Sequence, residues 1–417
     1  MLASLRLTRP VIGWALYDAA VSFLMANGAL YLPTWLVVEN GIPGWALNAA
    51  IAGSTLLSLI IGPALGALAD RRQRPVAYLK LASLCMVAVP VGLWVVVAAG
   101  TERPLAGWLG LAGLFVIFVA AQLGYVFYSS LLRKLRRVGD FAAASGVGVA
   151  SSWLGAIIGL MVVLPFVDGY WNPEASGPAA SFLPASFGFG IISLIAFALM
   201  PNDSQLREKD HPASQSDSAP ALWSRITTGG QFGWFLCAFS LFMDAILTVQ
   251  NNLSVYFEKT NGFGSNEVAV LFMTLFAASA VGGLGSIKIL ENLPAAALLR
   301  SLLPLWVLAL LGFGVASGFP ANLALLTICG ILFGATSNAF RVEFLRFVPG
   351  SQSGKYFGVY TSFERTASLL GPAVWAAVIF LSNGSEIYRY RAAMVTMTVF
   401  IILSCLALQM MKRSRGD

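Results

Sequence analysis

Charge is scarce in this chain: Asp, Glu, Lys and Arg together supply 11% of its 417 residues, where a soluble domain carries about 25%. A protein so poor in charge could not cover its own surface in water, so a soluble fold is excluded. Histidine occurs once, at His211, inside a polar stretch, where it reads as a solvated loop residue rather than a ligand. The four cysteines, Cys85, Cys237, Cys329 and Cys405, all lie within apolar runs without metal-ligand spacing, and read as small core-filling residues. No P-loop, dinucleotide fingerprint or GxSxG elbow is present. With no catalytic constellation, neither an enzyme nor a cofactor is expected. Energy for any work must then come from an ion gradient, from a solute's own gradient, or from a partner subunit.

Apolar residues are what the chain has, at 58% of positions. They fall in runs of roughly 20 to 28, enough to cross about 30 Å of hydrocarbon at 1.5 Å per residue. Lipid offers no partner to unpaired backbone groups, so such runs must be helices. A transmembrane β-barrel would show alternating segments of about ten residues, and none is visible. Twelve spans are predicted: 11–38, 45–68, 76–99, 105–130, 141–166 and 181–200, then 231–257, 265–287, 295–317, 321–345, 356–381 and 390–411. The first run is too long for the apolar part of a cleavable signal. The net charge of +7 sits between apolar runs rather than in a soluble patch, so nucleic acid is not an expected partner.

Basic residues set the predicted orientation. Arg6 and Arg9, Arg71, Arg72 and Arg74 after span two, Arg133, Lys134, Arg136 and Arg137 after span four, and Lys412, Arg413 and Arg415 at the end all fall on one side. Alternate connections carry only Arg103, Lys259, Arg389 and Arg391. By the positive-inside rule both termini are cytoplasmic. The polar stretch 201–228 has the Pro, Ser and charge content of a flexible linker. It divides the chain into 1–200 and 229–417, each with six spans.

The two parts resemble each other. Gly13-Trp14-Ala15-Leu16 opens span one and Gly233-Trp234-Phe235-Leu236 opens span seven. Gly146-Val147 and Gly159 in span five correspond to Gly358-Val359 and Gly371 in span eleven. A parallel duplication of six spans is a recurrent transporter plan.

The segment Gly66-Ala67-Leu68-Ala69-Asp70-Arg71-Arg72-Gln73-Arg74 resembles the GxxxDRxxR signature of the major facilitator superfamily. That resemblance implies an all-α membrane protein with two pseudo-symmetric six-helix bundles, rocking about a midplane site lined by spans one, four, seven and ten. It also implies a gate made by Gly66, Asp70, Arg71, Arg74 and Arg133, with Asp70 facing the start of span eleven near Lys355. The other reading of the arginines is that they only enforce topology. Trp14-Ala15-Leu16-Tyr17-Asp18-Ala19-Ala20-Val21-Ser22 is similar to the WxLYDxANS opening of the vacuolar-effluxer-like branch, associated with amino-acid efflux. Ser145-Gly146-Val147-Gly148, Trp153-Leu154-Gly155, Phe357-Gly358-Val359-Tyr360, Arg365 and Gly371-Pro372 are similar to its fifth and eleventh spans. Val21 replaces the branch's Asn, and Glu364 stands where a small residue is usual.

An ionised group in hydrocarbon costs several kcal/mol, so the polar residues inside the spans are the candidate substrate or coupling residues. Span one carries Asp18 and Ser22 on one face, with Asn27 and Tyr31 on an adjoining stripe. Span four carries Gln122 and Tyr125; span seven carries Asp244, Thr248 and Asn251 on one face with Ser240; span ten carries Asn338 and Arg341. Span eleven carries Glu364 and Arg365, neighbours that point about 100° apart. Asp18 reads either as a coupling group or as a buried acid paired with Arg341 or Arg365. Glu364 and Arg365 read either as coupling groups or as members of interhelical ion pairs.

The expectation is a proton-coupled secondary transporter, an exporter or antiporter working by alternating access on a small polar or amphipathic, amino-acid-like solute. It would be a monomer in a bacterial inner membrane, with lipid bilayer, solute and protons as partners. Two alternatives stay open: a lipid or drug-like amphiphile as cargo, or a non-transporting sensor or scaffold.

Overall fold

The computed structural model describes residues 8–135, 141–170, 172–173, 176–207, 226–228, 230–349, 352–366 and 370–414. Among these, every regular element is a helix. The first six long helices are α1 (Arg9–Thr34), α2 (Gly44–Arg72), α3 (Pro75–Ala98), α4 (Arg103–Leu135), α5 (Phe141–Val167) and α6 (Phe182–Leu199). A short helix, Asp203–Arg207, follows. The rest are α7 (Gln231–Asn261), α8 (Ser265–Asn292), α9 (Ala295–Val315), α10 (Phe319–Leu345), α11 (Ser353–Thr366), α12 (Leu370–Leu381) and α13 (Glu386–Arg413). Eleven helices among the described residues are long and apolar enough to cross a membrane. The chain is therefore a multi-pass integral membrane protein. The eleventh span, predicted at 356–381, is described as α11 and the shorter apolar α12, with residues 367–369 between them outside the described residues.

Several helices run on past their predicted ends, α2 and α4 among them. α2 reaches Arg72 rather than residue 68, and α4 reaches Leu135 rather than residue 130. Arg71, Arg72 and Arg133, read from the sequence as loop residues, are thus helical in backbone. Hydropathy marks where the hydrocarbon ends, whereas a helix can continue into the headgroup layer. Arginines in a last turn are favoured there, because they meet the negative end of the helix dipole. Gln73 then stops α2 in the left-handed region (φ 52°), and Pro75 opens α3, where its missing N–H costs nothing.

The chain divides into two compact units, Met1–Pro212 with Pro349–Val359, and Ala213–Val348 with Tyr360–Asp417. In the first, α1 packs on α5 and α6, α4 on α2 and α3, and α3 on α6. In the second, α7 packs on α13, α10 on α8 and α9, and α9 on α13. The pairings one–six, two–four, three–four and three–six thus recur in the second set of spans, which is how a structural repeat expresses itself. Lipid tails are as apolar as leucine, so helix association in a membrane depends on close packing over small residues. α1 and α5 show this: a Cβ on Gly155 would lie 2.6 Å from the Cα of Ala19, and one on Gly159 would lie 2.8 Å from that of Phe23. Nothing larger than glycine fits at either position.

Composition assigns 201–228 to a linker, yet its first residues are structured. The Asp203 carboxylate accepts the N–H groups of Val76 and Ala77 at 2.9 and 3.0 Å, capping α3 from 126 or more positions away. Leu206 is buried beside it. A long-range cap leaves no mark in local composition.

Candidate transport and gating residues

In the first unit α1 presents its polar residues to its neighbours. Trp14 donates from Nε1 to the Tyr128 carbonyl at 2.9 Å and stacks on that ring at 4.5 Å. The Tyr17 hydroxyl bonds to Ser83 at 2.8 Å. Asp18, one residue on, is buried at 8% exposure. Ser22 spends its hydroxyl on Ser152 of α5 at 2.6 Å, and Ser151 reaches back to the Ala15 carbonyl at 2.7 Å. These bonds lock α1 to α5, so the Ser22 hydroxyl is occupied in packing. Tyr31 lies in the apolar core with Met86, Val163 and Phe189.

Asn27 and Gln122 differ from these. Asn27 is 1% exposed; its amide donates to the Phe23 carbonyl at 2.7 Å, while Oδ1 is buried without a hydrogen-bond partner among the described residues. It borders a small cavity with Leu24, Val89, Ile117 and Phe182. Gln122 Oε1 on α4 is also buried without a partner. Such acceptors cost about 1–3 kcal/mol each while unpaired, and a solute N–H would satisfy them. Tyr125 is half-buried, its ring 6.1 Å from Tyr128.

In the second unit Asp244 lies about midway along α7 at 2% exposure. Its Oδ1 accepts the Gly371 N–H of α12 at 2.8 Å. Among the described residues no ion pair joins it to a basic side chain. Gly371 is required at this spot, because a Cβ there would fall 2.8 Å from both the Asp244 carbonyl and its carboxylate. Thr248, one turn along α7, is fully buried, with Oγ1 unpartnered among the described residues. Ser240, on the same face, donates to the Phe363 carbonyl at 3.3 Å. Asn251 is exposed, so the polar stripe is split between buried and open positions.

Asn338 donates to Ser286 at 2.8 Å, tying α10 to α8. Arg341 is buried at 8% exposure, and Glu364 is half-buried. The side chains of Arg365 and Arg133 lie outside the described residues.

The arginine segment brings α2 against the start of α11, within the first unit. Asp70 Oδ2 accepts the Lys355 N–H at 3.1 Å. A Cβ on Gly66 would meet the Gly354 backbone, and one on Gly358 would lie 2.6 Å from the Cα of Pro63. Two glycine contacts and one carboxylate therefore hold the helices at backbone distance. Arg71 and Arg74 are exposed.

Glu343 was missed as a site residue. It is completely buried, pairs with Arg346 at 2.8 Å, and accepts the Ala296 N–H at the start of α9 at 3.2 Å. An acid three residues before Arg346 is the signal the sequence offers. It caps α9 as Asp203 caps α3, the corresponding helix of the first unit.

Residues 136–417 match the model of a family described as vacuole effluxer Atg22 like; Trp14–Ser22 precede the matched region. No curated protein matches the chain. In structure it resembles the human organic anion transporter MFSD10 (TETRAN), with a TM-score of 0.72 at 16% identity, covering 96% of this chain and 99% of that one. It resembles FucP, an E. coli transporter of the major facilitator superfamily solved in the outward conformation, with a TM-score of 0.72 at 14% identity, covering 95% and 98%. A bacterial homologue of the iron transporter ferroportin in the outward-facing state gives 0.74 at 10% identity, covering 98% and 99%. At such identities the likeness carries the fold, which is that of the major facilitator superfamily.

Proposed function

The chain belongs to the vacuole effluxer Atg22-like family of membrane transporters, and on that premise we propose that it is a proton-coupled exporter of amino-acid-like solutes. The observation that carries this reading is Asp244, a carboxylate buried midway along a membrane-spanning helix and held by one backbone N–H, that of Gly371. A carboxylate so placed gains little from staying ionised and can take up a proton when the Gly371 contact loosens. Each unit by itself holds buried polar oxygens without partners among the described residues, Thr248 beside Asp244 in the second and Asn27 and Gln122 in the first. Acceptors of this kind take a donor such as the ammonium group of an amino acid and do not suit an anion. Asp18, Glu364 and Arg365 are the further charged groups assigned to coupling, with Asp70 and its arginines as the gate. Alternating access, with both termini cytoplasmic, completes the reading.

The test is transport of radiolabelled amino acids by purified protein in proteoliposomes, with and without an imposed pH gradient. Wild type should move solute faster with the gradient and lose that gain on addition of a protonophore. Asp244→Asn should keep solute exchange but lose the response to the gradient. Gradient-independent transport by wild type would overturn the proton claim, and failure of every amino acid would overturn the cargo.

A further inference from the structure

At the start of α3, Pro75 has no N–H to donate, and Tyr78 donates to the Arg74 carbonyl at 3.2 Å. Arg74 stands at the N-cap and makes no side-chain bond there. Val76 and Ala77 are left, and their N–H groups go to the two carboxylate oxygens of Asp203 at 2.9 and 3.0 Å. Asp203 is itself well placed. It follows closely on the end of α6 at Leu199, between Met200 and Leu206, both 5% exposed. The Asn202 N–H bonds to Gln205 Oε1 at 3.0 Å, and the Asn202 carbonyl accepts the Gln205 and Leu206 N–H groups. A single turn closed on itself therefore sits against the start of α3.

The start of α3 is also one end of a stiff connection to the contact with α11. Only Gln73 and Arg74 separate α2 from α3. The Gln73 N–H returns to the Asp70 carbonyl at 3.0 Å and the Arg74 N–H to the Ala69 carbonyl at 3.1 Å, the closure that goes with a left-handed residue after a helix. Pro75 fixes the next φ, and Arg72 Nη1 donates to the Tyr78 hydroxyl across the corner at 3.1 Å. From Asp70 to Ala77 the backbone is thus tied by hydrogen bonds and a proline ring. At the near end of this connection the Asp70 carboxylate accepts the Lys355 N–H. A shift of α3 at Val76 must pass to Asp70, because no loose residue lies between them to absorb it. We propose that Asp203 is a positioning residue of the gate: by holding the start of α3 it holds Asp70 against α11, and the first turn of the 201–228 segment serves as the clamp.

The inference rests on the gate assigned above to Asp70, but its test reads the α2–α11 contact and not transport, so it stands or falls apart from the cargo and the proton. Maleimide labelling would use the purified full chain carrying Ser353→Cys, with Cys85, Cys237, Cys329 and Cys405 replaced by alanine. Ser353 is fully buried. Asp203→Ala should speed labelling about fivefold, the equivalent of one lost cap. Asp203→Asn, with one acceptor oxygen left, should speed it less. Added to Asp70→Asn, Asp203→Ala should speed labelling no further, because a residue acting through Asp70 then has nothing left to position. Gly155→Val, which loosens the α1–α5 packing of the same unit, should lower the melting temperature and leave labelling unchanged. If Asp203→Ala fails to fold, Asp203→Asn carries the same comparisons. Unchanged labelling in the Asp203 variants, or a full further rise on top of Asp70→Asn, would overturn the proposal. So would an equal rise with Gly155→Val, since that outcome assigns Asp203 to stability alone.

Discussion

Asp70 accepts the backbone N–H of Lys355 at 3.1 Å, across 285 positions of sequence. The bond uses main chain on one side, so substitutions of the Lys355 side chain other than to proline leave the donor in place. Control of this contact therefore rests on Asp70 and on the glycines that let the helices meet. Asp70→Asn keeps an acceptor but loses the charge, and hydrogen bonds to charged groups are worth about 1.5–3 kcal/mol. We expect the α2–α11 contact to open. A cysteine at Ser353, which is fully buried, should then react with maleimide at least tenfold faster than in the Asp70 background. Unchanged labelling would show that the carboxylate does not hold the contact.

Gly66→Leu acts on the same contact by another route. Its side chain meets the Gly354 backbone, which cannot rotate away as a flexible side chain would. The helices must separate, so labelling at Ser353→Cys should again rise, this time with the Asp70 charge intact. Agreement between the two variants would tie the effect to the contact rather than to charge.

Thr248→Val removes a buried hydroxyl that has no partner. Unsatisfied groups cost about 1–3 kcal/mol, so the variant should unfold at a higher temperature than wild type, by about 2–4 °C per kcal/mol. If the hydroxyl serves the solute, transport should fall at the same time. A thermal shift with no loss of transport would leave Thr248 outside the site.

Gly155→Val tests the α1–α5 packing. Overpacking a well-filled site costs about 1–3 kcal/mol, and here the clash is with the Ala19 backbone. The melting temperature should drop by several degrees, and Ser22→Ala, which removes only the bond to Ser152, should drop it less.

Asp203→Ala leaves two N–H groups at the start of α3 without their cap. Caps are worth about 0.5–2 kcal/mol, so stability should fall measurably, while Asp203→Asn, with one acceptor oxygen left, should fall by less. Equal stability of all three would mean that water replaces the cap without cost.

Much of the architecture was legible before any coordinates. Runs of apolar residues located the helices because crossing hydrocarbon requires them, and the paired motifs near Trp14 and Trp234 anticipated the pairings that recur in the two units. The helix ends at Arg72 and Leu135 were less legible, since hydropathy reads the edge of the lipid and not the end of the hydrogen-bonded chain. Among polar residues, spacing located a face but not an occupant. Ser22 and Asn27 looked alike on α1, yet one hydroxyl is spent on Ser152 and one carbonyl oxygen is left over. Asp203 falls in the predicted linker and Glu343 near the end of predicted span ten, yet each caps a helix far from it in sequence.

The sequence by itself determined that this chain lives in lipid, as many crossing helices with few and costly charges, because solvent chooses composition residue by residue. Only the tertiary structure decided which polar groups remain available, since that depends on what each side chain meets from a distant helix. Asp244 meets Gly371, Asp70 meets Lys355, and the Thr248 hydroxyl meets no hydrogen-bonding partner among the described residues. Close packing fixed those outcomes through glycines whose necessity shows only when two backbones touch.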